Sequence, residues 1–140
     1  MSSDTFIPVK GVVWAGRILV SLAGLHLLAM SLLSADHIPG WLGGELWFFP
    51  PNVDDLARPT PSMGAFWLTW GSFAVPLGLI GALVVGFGRR GQVPPPYLGI
   101  GVALWALVGA AVFEPSPFVL GVVPAALLLG AARRRRAVAA

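Results

Sequence analysis

The chain has 140 residues, which is enough for one compact unit and too few for two ordinary domains. Its mean hydropathy is +0.82 and only 11% of its residues are charged, against roughly 25% in soluble domains. So few charges cannot cover the surface of a water-soluble protein of this size, and lipid is therefore the predicted solvent. The sequence contains no cysteine, which excludes disulfides, thiolate nucleophiles and cysteine-ligated metal centres.

Four apolar segments predict an all-α membrane protein, an antiparallel four-helix transmembrane bundle that forms a single domain over residues 1–140. A hydrocarbon core of ~30 Å needs about 20 helical residues. The first two segments meet this length, and the last two borrow residues from their flanks. The first carries no convincing signal-peptidase site, so it is expected to be a retained span. The predicted spans cover residues 12–33, 63–87, 97–113 and 117–132.

The segment of residues 34–62 is the predicted outer loop between the first two spans, and it is rich in aromatic residues and proline. Aromatic side chains prefer the headgroup boundary, where the apolar ring contacts lipid and its polar edge stays hydrated. Residues 38–49 are therefore expected to lie on the membrane surface as a short helix or a re-entrant cap. Residues 50–62 are expected to form an extended polar connector.

The basic residues predict the topology. With the N-terminus inside, eight of the nine lysines and arginines lie on the cytoplasmic side, and only Arg58 lies outside. Both termini are then cytoplasmic, with a basic tail over residues 133–140, in a bacterial inner membrane. This placement favours a topological role over a nucleic-acid surface, so no nucleic-acid partner is predicted. The predicted anchors are Arg17, Arg89, Arg90, Arg133, Arg134, Arg135 and Arg136.

His26 is the most informative single residue, because ionisable groups within a membrane are costly and usually face the protein interior. Its functional interpretation is a proton carrier, a ligand contact or a metal ligand. The simpler interpretation is a neutral histidine that hydrogen-bonds between helices. Turn capping and solvation likewise explain the nearby carboxylates more simply than a metal site does. The candidate ligand-binding residues are His26, Trp67, Trp105 and Glu114.

An acid–base pair or a hard-metal site could be assembled from His26, His37, Glu45 and Glu114. The sequence has no metal-ligand spacing such as His-x-x-x-His, so no metal and no catalytic residue are predicted. No cofactor is expected, although the bundle could hold a lipid or a quinone.

Small residues recur every four positions along the second span, at Gly78, Ala82 and Gly86. Stripes of this kind let helix backbones approach closely in lipid. They indicate either tight packing within the bundle or self-association. Pro76 and Pro124 fall inside the second and fourth spans, where each removes a backbone hydrogen bond and can kink its helix.

Several short motifs resemble an uncharacterised family of small four-span bacterial membrane proteins, classed as a domain of unknown function. The resemblance covers about residues 14–136 and implies four helices with no established reaction. The motifs are Trp14-Ala-Gly-Arg-Ile-Leu, Gly24-Leu-His26, Ala65-Phe-Trp, Pro115-Ser-Pro-Phe-Val-Leu and Pro124-Ala-Ala-Leu-Leu-Leu.

The leading hypothesis is a non-enzymatic membrane component, which is a subunit or partner-binding protein that contacts membrane lipid and either another membrane protein or a second copy. The alternative is a binder or enzyme for a hydrophobic small molecule, such as a lipid, isoprenoid or quinone, in a pocket near His26. Proton-coupled transport is the third hypothesis. Small multidrug exporters have a similar size but need a buried carboxylate in their first span for proton coupling. The first span here has no carboxylate, which counts against this hypothesis.

Overall fold

The computed structural model describes residues 7–47, 59–112 and 117–139, and within them the protein is all-helical, as predicted. These residues form no strand. They contain six α-helices and two short 3₁₀ helices, at Ala35–His37 and Pro117–Gly121. The α-helices are α1 (Lys10–Leu33), α2 (Ile38–Leu42), α3 (Pro61–Leu68), α4 (Ala74–Arg89), α5 (Pro96–Val112) and α6 (Val122–Ala139).

Within the described part of the chain, two helical segments are long and apolar enough to cross a membrane, Lys10–Leu33 with 24 residues and Pro117–Ala137 with 21. The second segment joins the 3₁₀ turn to α6, which places Pro124 in the first turn of the α-helix rather than at a mid-span kink. The helices α4 and α5 are also apolar but shorter, with 16 and 17 residues.

The chain forms two compact units. Unit 1 comprises Met1–Ser21 and Gly78–Ala140, and unit 2 comprises Leu22–Leu77. The continuous helices α1 and α4 each contribute residues to both units. That the whole chain is one transmembrane domain stays a prediction.

In unit 1, the first half of α1 runs antiparallel to α4 with their backbones in direct contact. The amide N–H of Val9 donates to the carbonyl of Gly88 over 2.9 Å. A Cβ added at Gly16 would lie 2.6 Å from the carbonyl oxygen of Gly81, a distance no real side chain can occupy. Glycine at these positions therefore allows the close approach on which the pair depends.

The helices α5 and α6 form a second antiparallel pair in unit 1, also through small residues. Gly99 lies against Leu128 and Leu129, and Gly121 lies against Ala106. Both glycines are buried. The core beside this pair contains four buried side chains, from Val12, Ala15, Val84 and Leu128.

The turn after α4 is a Schellman motif centred on Gly91. Its φ of +70° lies in the left-handed region, which favours glycine. Gln92 N–H donates to the Phe87 carbonyl over 2.9 Å, and Gly91 N–H donates to the Gly88 carbonyl over 3.2 Å. These two bonds satisfy carbonyls at the helix end. The prolines at 94 to 96 then separate this end from α5.

Unit 2 departs from the prediction of one unbroken helix over residues 63–87, because this segment is divided between α3 and α4. Thr69 ends α3 with φ −106° and ψ −103°. Its buried hydroxyl donates to the carbonyls of Ala65 and Phe66, at 2.9 and 3.1 Å. A continuous helix would have placed the Pro76 ring against the carbonyl of Ser72. A helix that begins at Ala74 instead accommodates Pro76 in its first turn.

The loop between α1 and α3 differs from the prediction where it is described. Within the predicted surface helix over residues 38–49, the described residues 38–47 are helical only in α2, at Ile38–Leu42. The predicted connector over residues 50–62 gives way to α3 at Pro61. Thr60 caps α3, since its hydroxyl oxygen accepts the N–H of Met63 over 3.2 Å. Residues 48–58 lie outside the described part, as do residues 113–116, which include Glu114.

Candidate functional site

The four predicted ligand-binding residues are distributed between the units. His26 and Trp67 belong to unit 2, Trp105 belongs to unit 1, and Glu114 lies outside the described residues. His26 contacts the residue next to Trp67, because its Nε2 lies 3.0 Å from the carbonyl oxygen of Leu68. A carbonyl can only accept, so Nε2 carries the proton and donates.

The break between α3 and α4 explains why this carbonyl is available to His26. In a continuous helix, the Leu68 carbonyl would accept the N–H of Ser72. That N–H donates to the Thr69 carbonyl instead, over 3.1 Å. A polar backbone group released at a helix end needs a partner, especially away from water. His26 on α1 supplies that partner, in agreement with its simpler interpretation as a bond between helices.

An aromatic cluster joins α2 to α3 in unit 2. The indole N–H of Trp41 donates to both the carbonyl and the hydroxyl oxygen of Ser62, each at 3.1 Å. The Trp41 ring also packs edge-on against Phe66, with centroids 5.7 Å apart. Phe66 makes a similar contact with Trp67 at 6.0 Å, and His37 stacks on Trp41 at 6.4 Å. The helix α2 is thereby attached to α3 by a polar anchor and ring contacts.

Trp105 makes a packing contact in unit 1. Its ring meets Phe118 edge-on, with centroids 4.9 Å apart. Gly109 lies beneath the same phenyl ring, so close that an added Cβ would be 2.5 Å from a ring carbon. Trp105 is half-buried. These contacts are those of a side chain that packs between helices.

The residues considered for a metal site do not assemble in the described part of the chain. Within residues 7–47, 59–112 and 117–139, no three histidine or carboxylate side chains lie close enough to hold a metal ion. His37 contributes to the aromatic cluster, and Glu45 folds back over Gly40.

Basic residues gather at one end of unit 1. The bond from Val9 to Gly88 places the start of α1 beside the end of α4. Arg135 Nη1 donates to the Val93 carbonyl over 3.4 Å, which places the last turns of α6 beside the loop before α5. The basic residues at these helix ends are Lys10, Arg89, Arg90, Arg133, Arg134, Arg135 and Arg136, all exposed.

Arg17 lies two turns into α1 rather than at its end. The guanidinium carbon lies 5.3 Å from the centre of the Trp14 ring, a cation–π contact between two exposed side chains. Both residues belong to unit 1.

The predicted small-residue stripe on α4 differs from the set of glycines that contact α1, and its role in packing or self-association stays a prediction. Ala82 is exposed, and a Cβ at Gly86 would meet nothing within 4 Å. The glycines that contact α1 are Gly81 and Gly88. Ala82 and Gly86 instead line an open groove of about 500 Å³ with Leu79, Leu83 and Phe87, and Gly78 is half-buried.

Large apolar side chains are exposed on all the long helices. Examples are Leu25 on α1 at 64%, Leu83 on α4 at 65% and Leu104 on α5 at 59%. Only about a third of the apolar window in each candidate span is buried, 33% in the first and 28% in the second. The core helix of a soluble protein would bury most of such a window.

Sequence reasoning missed three structural positions. Gly16 could have been identified by pairing α1 with a glycine on another span. Thr69 and Ser62 carried no periodic signal, because their roles depend on a helix end and on Trp41.

The chain matches no family model, no curated protein and no solved structure. Its likeness to the four-span family therefore stays a resemblance.

Proposed function

We propose that this chain is a small polytopic membrane protein that crosses lipid four times and serves as a non-enzymatic, partner-binding component of a membrane complex. The observation that carries the membrane assignment is the apolar surface of its helices. Leu83 and Leu104 are among many large side chains that unit 1 leaves exposed. Soluble monomers rarely expose apolar patches beyond a few hundred Å².

The short helices fit this proposal with modest adjustment. At ~1.5 Å per residue, the 16 residues of α4 and the 17 of α5 extend about 24 and 26 Å. A hydrocarbon core of ~30 Å adapts to such a shortfall by local thinning, at a fraction of a kcal/mol per Å.

The basic end of unit 1 supports an orientation with both termini in the cytoplasm. Lys10 and the four arginines of α6 share that end with Arg89 and Arg90. Lysine and arginine in short loops accumulate on the cytoplasmic face of bacterial inner membranes. We therefore assign that compartment to the basic end.

Single-cysteine labelling tests the topology cleanly, because the chain has no native cysteine. Cysteine at Ala137 should react with a membrane-impermeant maleimide only after the cells are permeabilised. Cysteine at Thr60, between the first and second spans, should react in intact cells. Labelling of Ala137→Cys in intact cells, or recovery of the wild-type chain in the soluble fraction, would contradict the proposal.

The open face of α4 supports the partner-binding part of the proposal. Ala82 and Gly86 leave a groove between exposed Leu79, Leu83 and Phe87. Small residues on an exposed membrane helix let a second helix approach closely. The expected occupant is another transmembrane helix, from a second copy or from a different membrane protein.

The mass of the purified species in mild detergent tests this assignment. The wild type should sediment as a complex heavier than one 14.7 kDa chain, and Gly86→Leu should reduce that mass. Gly101→Leu on α5 is the matched control, since both glycines have open space around them. A wild-type species that is strictly monomeric and free of other proteins would argue against partner binding.

Binding of a hydrophobic small molecule near His26 is the second candidate. One observation favours it, namely that His26 and the neighbouring Trp67 side chain are both exposed on unit 2. The bond from Nε2 to the Leu68 carbonyl supports the structural interpretation instead. Mass spectrometry of the protein purified with its native lipids distinguishes the ligand-binding role of His26 from the structural one. A bound quinone or isoprenoid that is lost in His26→Leu would favour the ligand-binding role.

A further inference from the structure

An open groove of about 600 Å³ lies at the basic end of unit 1, within the usual size range of ligand sites. One face of α6 forms its floor through Ala126, Gly130 and Ala131, and Val9 and Val93 contribute apolar walls. A Cβ at Gly130 would meet nothing within 4 Å. The floor is therefore open along α6 because its residues are small.

Two arginines give the groove a polar end. Arg134 lies one turn beyond Gly130 on the same face of α6, and Arg135 is its neighbour. Arg135 donates one N–H to the Val93 carbonyl, which positions a guanidinium that has five donors in total. Among the described residues, those that line the groove include no carboxylate, and their only charges are the two positive guanidiniums.

This combination of an apolar floor and paired guanidiniums fits an amphiphile with an anionic head. Arginine binds phosphate oxygens with two parallel N–H donors. An acyl chain, in contrast, packs against the apolar floor. We propose that the groove binds an anionic phospholipid, with its phosphate at Arg134 and Arg135 and an acyl chain over Gly130. The inference rests on the proposed membrane location, which brings cytoplasmic-leaflet lipid to this end.

The test measures binding of phosphatidylglycerol to the full chain in detergent, by native mass spectrometry, with phosphatidylcholine as the neutral comparison. Arg134→Gln with Arg135→Gln should weaken phosphatidylglycerol binding about tenfold, because charge-assisted bonds to phosphate are lost. Arg89→Gln with Arg133→Gln removes the same net charge outside the groove and should leave binding nearly unchanged.

A second pair of variants tests the acyl chain. Gly130→Leu fills the floor from a position with open space and should also weaken phosphatidylglycerol binding, whereas Gly101→Leu on α5 should not. Circular dichroism of both variants confirms that they keep their helices. These two glycine variants add the same side chain, so a difference between them in phosphatidylglycerol binding reports on the groove itself.

Three results would overturn the proposal. Equal losses from both arginine pairs would mean diffuse charge attraction. Inorganic phosphate that displaces phosphatidylglycerol, without any effect of Gly130→Leu, would mean a site for free phosphate. Equal binding of phosphatidylcholine would remove the charge requirement. Any of these results leaves the membrane assignment intact, whereas a chain that stays dispersed without detergent defeats that assignment directly.

Discussion

Unit 1 and unit 2 are each stabilised internally by a different kind of interaction. Unit 1 relies on close approach at small residues, as where the Gly16 backbone meets that of Gly81 and Gly121 lies against the Ala106 methyl group. Unit 2 relies on side chains that donate to backbone carbonyls, from Trp41 to Ser62, from Thr69 to Ala65 and from His26 to Leu68. The difference follows the regularity of the backbone in each unit.

Between its terminal turns a regular helix has no free backbone groups, so in lipid such helices associate through close van der Waals contact. Unit 1 consists mainly of such helices. In unit 2, the end of α3 at Thr69 releases carbonyl groups that need donors. Under the proposed membrane location, a helix can therefore be interrupted where nearby side chains supply the missing hydrogen bonds.

The largest expected effect lies at Gly16 in unit 1. Gly16→Val places a branched side chain against the backbone of α4, where neither the Gly81 carbonyl nor the Val85 amide can move away. Overpacking of this kind should lower the free energy of unfolding by about 3 kcal/mol. Thermal unfolding in detergent, followed by circular dichroism, measures the loss.

Gly24→Val is the matched control on the same helix, because a Cβ there meets nothing within 4 Å. Both substitutions carry the same change in helix propensity. Equal shifts in Tm would mean that backbone contact does not hold α1 against α4, and the comparison between the units would fail.

The next effect tests unit 2 at Trp41. Trp41→Phe keeps an aromatic ring beside Phe66 but removes the N–H that donates to Ser62. The loss should be about 1.5 kcal/mol, at the upper end for a neutral hydrogen bond, because the bond is partly buried. Trp47→Phe, at a side chain that is 75% exposed, should change the unfolding free energy little. Equal losses would assign the stability of unit 2 to ring area rather than to the hydrogen bond.

Hydropathy was sufficient to predict the helical class, and the predicted first and third spans lie close to the bounds of α1 and α5. That the basic residues lie on the cytoplasmic side stays a prediction. Local sequence could not predict the break at Thr69. Proline inside a membrane span is compatible with a kink or with a new helix start. The choice here depends on the Thr69 hydroxyl and on His26, which is distant in sequence.

The packing face of α4 shows a second limit of local reasoning. Spacing of four residues selects Gly78, Ala82 and Gly86, whereas α1 contacts Gly81 and Gly88, which are seven apart. Both sets lie on regular faces of the same helix. Only the position of Gly16 on the partner helix decides between them, and a single helix carries no information about its partner.

The smallest effect lies at His26, where the bond to Leu68 is exposed. His26→Leu removes the donor and should lower the free energy of unfolding by about 0.5 kcal/mol, the lower end for a neutral hydrogen bond. His26→Gln can still donate to the carbonyl and should retain most of the stability. Thermal unfolding of both variants measures the difference, and lipid analysis of the same samples reports on any bound molecule. If His26→Gln keeps its stability but loses a bound quinone or isoprenoid, then the imidazole contacts a ligand as well as a helix end. Unit 2 would then be the ligand-binding part of the molecule. The Leu68 carbonyl at the break between α3 and α4 would hold the imidazole of His26 in place for that ligand.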